Sequence, residues 1–251
     1  MDADKLLETI AYAGKLLIES GAEIYRVEET MVKMSRSFPE VEDAQSFVLP
    51  TGIMLSLTIQ NKTVTKILRV HIRNVDLHCI DRINFISRDS LKHSYTLSQL
   101  SKALKDIADE QRYSFFVTMM FGALGASGFA LFFEGTWLEA GCTFFIGIVI
   151  KCVTWLMERI QINAFLTHAL AAACAASCSF LLQLCYPHVN IDILIISSIM
   201  LLVPGLAITN AIRDTVAGDY LSGVARGVEA FLVAVAIALG VGFIISICLG
   251  I

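Results

Sequence analysis

The chain has 251 residues, 56% of them hydrophobic and 17% charged, with a formal net charge of −4 and a mean hydropathy of +0.68. An ordinary soluble domain carries about 25% charged residues, so the composition points to a membrane protein. No basic patch offers a surface for nucleic acid, and the mild acidity selects no partner.

The charges are unevenly placed: 15 of the 19 Lys and Arg and 16 of the 23 acids lie in residues 1–112. Residues 1–112 therefore read as a cytosolic α+β N-terminal domain, and residues 113–251 as a transmembrane domain of five helices. The N-terminus, MDADKLLETIAYAGKLL, lacks both a basic n-region and a small-residue cleavage site, so it is not read as a secretory signal. Leu6, Ile10, Ala13 and Leu17 recur at helical spacing. SGAE (Ser20 to Glu23) reads as a capping box that restarts a second helix through about Ser37, with Ile24, Val27, Met31 and Met34 continuing the apolar stripe. In TGIMLSLTIQNKTVTKILRV the residues Ile53, Leu55, Leu57 and Ile59 share one face, and QNKT makes the turn of a hairpin. Residues 74–92 and 96–112 read as two more helices, each opened by a capping residue.

Beyond Arg112 come five apolar spans, 114–133, 137–157, 164–185, 191–211 and 227–250, each long enough to cross about 30 Å of hydrocarbon. Lys151 and Arg159 mark one connection, Arg213 and Arg226 another, and the loops near Gly135 and His188 carry no Lys or Arg. The positive-inside rule then puts the N-terminus in the cytosol and the C-terminus outside. GALGASG (122–128), AAACAAS (171–177) and ALGVG (238–242) let helix backbones approach closely. Six of the seven cysteines lie in apolar runs and read as packing. Cys174 and Cys178 share a helix face, but the sequence offers no further ligands for a metal, and no disulfide framework is implied. No cofactor is expected.

Between the last two spans runs ITNAIRDTVAGDYLSGVARGVEA (208–230). Asn210, Arg213 and Asp214 share a helix face, Gly218 offers a break, and Asp219, Ser222, Gly223, Arg226 and Glu229 follow on one face of the next helix. Lys151, Glu158, Asn163 and His168 fall at the same depth by this topology. Pro204-Gly205 in LLVPGLAITN removes a backbone hydrogen bond, so the fourth span kinks or breaks there. Interrupted helices build substrate and ion sites in transporters, whereas a plain kink, a cap at Asp219 and orienting arginines are the bland alternative. Glu229 weighs against that alternative, because an ionisable group inside an apolar span is costly and usually functional.

PGLAITNAIRDTVAGDYLSGVARGVEA (204–230) strongly resembles the signature of the threonine/serine exporter (ThrE-like) family. AGKLLIESGAEIYRVEETM (13–31) and LPTGIMLSL (49–57) are similar to that family's N-terminal motifs. The resemblance covers nearly the whole chain. It implies a proton-driven secondary exporter of small hydroxy amino acids such as threonine and serine, in the bacterial cytoplasmic membrane. One branch, similar to the YjjP proteins, is split into two polypeptides and linked to export of dicarboxylates such as succinate. This chain ends after five spans, which implies that split branch and a separate small membrane subunit as partner. The motif maps onto Pro204, Gly205, Asn210, Arg213, Asp214, Gly218, Asp219, Gly223, Arg226 and Glu229, and the N-terminal motif onto Glu19, Glu23, Arg26 and Glu28.

The roles expected on that basis are these. Arg213 or Arg226 holds a substrate carboxylate, Asp214 or Asp219 holds an amino group, and Glu229 couples protons, its pKa raised by partial burial. Glu19, Glu23, Arg26 and Glu28 form either a solvated face with local ion pairs or a cytosolic gate or docking surface for the membrane half. An enzyme is not expected: AGDYLSG has no second Asp in a partner span, and His71, His78, His93, His168 and His188 are scattered. A non-transporting regulatory subunit stands as the rival reading.

Overall fold

In the computed structural model, which describes residues 2–71, 74–93, 95–110 and 113–250, the chain falls into two units. One comprises Met1–Gln111 with Leu206–Val228, the other Arg112–Gly205 with Glu229–Ile251. The signature stretch 206–228 therefore folds with the N-terminal residues rather than with the apolar helices on either side of it in sequence.

In the first unit α1 (Ala3–Glu19) starts under Asp2, whose side chain accepts from the Lys5 amide, and buries the face Leu6, Ile10, Ala13 and Leu17. Helix α2 (Ile24–Arg36) buries Ile24, Val27, Met31 and Met34, as the helical spacing predicts. The expected capping box is absent. Ser20 is the C-cap of α1, and Glu23, at the N-cap of α2, makes no capping bond through its side chain. The amides of Ser20, Gly21 and Ala22 instead close α1 on Leu16, Ile18 and Leu17, with Gly21 in the left-handed region at φ +86°.

Three antiparallel strands, β1 (Val41–Leu49), β2 (Gly52–Ile59) and β3 (Lys62–Arg69), form a sheet in that order. Gln60 and Asn61 both have positive φ, +50° and +58°, the signature of a tight hairpin turn matched to strand twist. Ile53, Leu55, Leu57 and Ile59 point into the core with α1 and α2, while Ser56–Thr65 and Thr58–Thr63 pair hydroxyls on the other face. Sequence patterning missed β1, in which only Ala44 and Val48 are buried and Phe47 is exposed. Helix α3 (Leu77–Asp89) is capped by Asp76, not Asn74, and α4 (Leu97–Asp109) by a true capping box of Thr96 and Gln99. The expected end of that helix and of the domain, at residue 112, lies outside the described residues.

The second unit holds α5 (Phe115–Phe132), α6 (Trp137–Arg159), α7 (Ala164–Cys185), α8 (Ile191–Ile199) and the greater part of α10 (Tyr220–Leu249). Among the described residues four helices are long and apolar enough to cross a membrane: α5, α6, α7 and α10. Phe121, Phe132, Leu184, Phe243 and Ile247 are exposed on them, which suits lipid rather than water. The predicted span 191–211 is not one helix. Helix α8 ends at Ile199 and α9 (Gly205–Ala217) begins after Pro204, which has no amide to donate and clashes with a preceding helical turn.

The small-residue stripes do bring helices together. A Cβ on Gly147 of α6 would stand 2.8 Å from Ala123 Cα, and one on Gly240 of α10 would run into the Ala169 carbonyl oxygen of α7. Glu139 is buried but satisfied. It accepts from the Thr136 amide at 2.6 Å and hydroxyl at 2.9 Å, and from the Asn190 amide at 2.7 Å, tying the α5–α6 turn to the α7–α8 turn.

Candidate functional site

The polar signature residues meet at the turn between α1 and α2. The turn closes α1 through its own amides, but the Gly21 and Ala22 carbonyls and the Ile24 amide at the start of α2 need partners from outside the two helices. The signature side chains supply them. Asn210 Nδ2 donates to the Gly21 carbonyl at 2.8 Å, and Arg226 Nη2 donates to the Ala22 carbonyl at 2.6 Å. Asp214 Oδ1 accepts from the Ile24 amide at 3.0 Å, giving the first amide of α2 the acceptor that its own N-cap withholds. On the other side, the Glu19 and Ser20 carbonyls accept from the Asn74 and Asp76 amides at 2.7 and 3.0 Å. The turn is thus clasped from both sides.

The clasp is buried: Asp214 is 0%, Asn210 6% and Arg226 6% exposed. Arg226 Nε stands 3.3 Å from Asp214 Oδ2, an ion pair without hydrogen-bond alignment. Burial pushes the Asp214 carboxyl above its ordinary value, Arg226 and the Ile24 amide oppose this without cancelling it, and the charges of Asp219 and Glu23 add to the rise. At the edge of the clasp Arg213 Nη1 donates to Glu23 Oε1 at 2.6 Å, while Arg26 Nε lies 3.8 Å from Glu23 Oε2. Burial pushes the Glu23 carboxyl up, but its own amide and the two arginines outweigh it and hold it below the usual range. Arg213 keeps about half of its side chain in the open.

Helix α9 returns into α10 through Gly218, at φ +98°, with the Asp219 amide donating to the Asp214 carbonyl at 2.8 Å. Gly223 lets the two helices touch: a Cβ there would strike Thr215 Oγ1 and stand 2.9 Å from the Ala211 carbonyl oxygen. Pro204 and Gly205 form the entry to α9. Glu28 accepts from the Val48 amide at 2.8 Å, and burial together with the negative charge of Asp219 raises its carboxyl above the ordinary value. Glu19 pairs with Lys15 at 3.6 Å.

Of the predicted site residues, then, Asn210, Arg213, Asp214, Arg226 and Glu23 come together, with Arg26 beside them and Glu28 within electrostatic reach of Asp219. Glu229 belongs to the second unit and is exposed on α10. Lys151, Glu158, Asn163 and His168 are also in the second unit. There Lys151 lies along Gly122, Asn163 caps α7 and His168 Nδ1 sits 2.7 Å from the Ala164 carbonyl oxygen. No cluster of His, Cys, Asp and Glu fit for a metal occurs among the described residues. The main-chain partners Gly21, Ala22 and Ile24 escaped sequence reasoning, because reading SGAE as a capping box satisfied the turn locally. The available signal was Gly21 itself, placed where a helix ends.

Gly21→Ala is expected to destabilise the first unit by about 1–2 kcal/mol from left-handed backbone strain alone, and its Cβ would also stand 3.1 Å from the Asn74 carbonyl oxygen. Gly21→Asn should cost less, and thermal unfolding of the two variants side by side checks the order.

The family model described as "Putative threonine/serine exporter" matches residues 8–248. The chain is similar to the "Probable succinate transporter subunit YjjP" of Escherichia coli (strain K12), 25% identical over 235 residues, covering 93% of this chain and 91% of that protein. It is 24% identical over 226 residues to the protein of the same description in Klebsiella aerogenes, covering 90% and 87%. No solved structure matches the chain. With the family model spanning all but the two ends, and with the family's signature forming the clasp, the chain belongs to the threonine/serine exporter (ThrE) family.

Proposed function

We propose that this chain is the larger subunit of a secondary exporter in the bacterial cytoplasmic membrane, moving small carboxylate-bearing metabolites outward in exchange for protons, with a separate small membrane subunit as partner. The observation that carries the reading is the clasp. The polar face following Pro204 holds the α1–α2 turn through Asn210, Asp214 and Arg226, and release of such a clasp is a natural cytosolic gate.

The nine residues of α8 rise about 14 Å, and residues 200–202 continue it in turns bonded back to Ile196, Ser198 and Ile199 before Pro204. Together they make a fifth, interrupted crossing, with the N-terminal unit cytosolic and the C-terminus outside. Asp214 and Arg226 are buried in the clasp, whereas Arg213, paired with Glu23 but about half exposed, is the arginine within reach of a substrate carboxylate, and Asp219 the acid for an amino group. The two relatives named as succinate transporter subunits favour a dicarboxylate, and the family description favours threonine and serine.

Uptake of labelled succinate, threonine and serine into inside-out vesicles under an imposed proton gradient tests the proposal. Gradient-dependent uptake of one class, complete only with the small subunit, is expected. No uptake with both folded subunits present moves the assignment to a regulatory subunit. Glu229 is the proposed proton-coupling carboxylate, because it is the ionisable group within the long apolar run of α10. Glu229→Gln is expected to abolish gradient-driven uptake, a loss of at least about tenfold if proton transfer limits the cycle, while assembly stays intact. Undiminished coupled uptake would remove the role.

A further inference from the structure

A cavity of about 280 Å³ lies between α2 and α3, lined by Tyr25, Arg26, Glu29, Thr30, Lys33, Asn84, Ser87 and Arg88. Sites for drug-sized ligands run from about 300 to 1,000 Å³, so this one suits something small. Thr30 and Ser87 are buried, 6% and 1% exposed, and Ser87 Oγ has no hydrogen-bond partner among the described residues. A buried hydroxyl without a partner costs free energy, and an acceptor placed in the cavity would relieve that cost. Asn84 Oδ1 accepts from Thr30 Oγ1 at 3.4 Å, which leaves the Asn84 amide nitrogen as a second donor.

The charges around the cavity have one dominant sign: Arg26, Lys33 and Arg88 against Glu29. Lys33 is paired with Glu29 at 2.6 Å across an exposed surface, a bond that is cheap to exchange. Arg88 makes no ion pair among the described residues. Two guanidinium forks, an ammonium and two neutral donors form a lining that carboxylate and phosphate oxygens fit.

We propose that this cavity binds a small dianion, a dicarboxylate or a phosphate group, and reports its presence to the clasp. Arg26 is the link. It lines the cavity and also lies 3.8 Å from Glu23, whose other oxygen takes Arg213 of α9 at 2.6 Å. An anion that draws Arg26 toward the cavity leaves Glu23 to Arg213 and tightens the clasp. Reciprocity follows: weakening the Glu23–Arg213 pair must weaken anion binding by the same factor. The site stands apart from the export proposal, since it requires no transport to be detected.

The test uses the full chain in lipid nanodiscs at constant ionic strength. Inorganic phosphate, succinate and acetate are titrated in turn, and amide exchange is followed in peptides covering 24–36 and 77–89. Saturable protection of both helices by phosphate, succinate or both is expected, at concentrations at least about tenfold below any effect of acetate, as a second charge on the ligand demands. Arg88→Ala, on the surface and harmless to folding, should weaken protection about tenfold or more, the loss of one charge-assisted fork. Arg213→Ala should weaken it about fivefold, the lower end of typical couplings. Protection by phosphate alone or succinate alone supports the site and names its class. Absence of saturable protection by either, equal action of acetate, or indifference to Arg88→Ala overturns the proposal.

Discussion

Asp214→Ala is expected to destabilise the first unit by about 3–5 kcal/mol, the usual cost of removing one partner from a buried ion pair. Two losses act together. The Ile24 amide loses its acceptor, and Arg226, 6% exposed, loses the Asp214 carboxylate 3.3 Å from its Nε. Asp214→Asn keeps an acceptor for Ile24 and loses only the charge, so its cost should fall between wild type and alanine. Thermal or denaturant unfolding of the three proteins in one lipid system checks the order. If alanine and asparagine are equally mild, Asp214 does not cap α2.

The same carboxyl contributes a pH dependence of definite sign, opposite to that of Glu23, whose carboxyl is lowered. Asp214 and Glu28 titrate above their ordinary values in the folded chain, so the folded state holds protons that the unfolded chain has released. Their contribution is fully present below the ordinary carboxyl range and is lost as pH rises through the raised folded values. Stability from this source therefore declines with rising pH, and Asp214→Asn should flatten the decline by removing one of the two groups. A wild-type profile that rises across that interval while the Asn variant matches it would contradict the assignment.

Gly240→Val is expected to be the most damaging single change in the second unit. A side chain at this position meets the Ala169 carbonyl oxygen, with the Ala173 amide nitrogen 3.1 Å away. These are backbone atoms of α7, which cannot rotate aside. Overpacking of a closed core costs about 1–3 kcal/mol, more where backbone must move. Gly242, two residues along the same helix, has nothing within 4 Å of its hypothetical Cβ, so Gly242→Ala is the control and should assemble as wild type does. Monodispersity and melting temperature of the two variants decide it. Equal behaviour of Gly240→Val and Gly242→Ala would mean that α10 does not pack on α7 at that point.

These contrasts show where sequence was a good guide. Amphipathic spacing placed Leu6, Ile10, Val27 and Met31 in the core, and strand alternation placed Ile53 to Ile59, because burial of a face leaves a period in the chain. Length and hydropathy located α5, α6, α7 and α10, because a helix that crosses hydrocarbon must be apolar along its whole length. Pro204 marked the break in the fourth span, though nothing in ILIISSIM announces that α8 stops at Ile199. The β1 strand left little trace, since only Ala44 and Val48 are buried in it.

The clasp was half legible. Helical spacing put Asn210 with Asp214 on one face, and Arg226 on the face that follows Asp219. Their partners are main-chain atoms of Gly21, Ala22 and Ile24, nearly two hundred residues away, and a backbone carbonyl carries no mark in a sequence. Arg226 and Asp214 look like substrate ligands by residue type, and only geometry reveals that the chain's own turn occupies them.

The most direct measurement is amide hydrogen exchange of the full chain in nanodiscs, wild type against Asn210→Ala. Loss of the Asn210 bond to the Gly21 carbonyl should speed exchange in peptides covering 20–27. Peptides around Ile146 and Ile150 in the second unit should be unchanged. Unaltered protection of 20–27 in the variant would mean that the signature face does not hold this turn, and the clasp, with the gate built on it, would have to be abandoned.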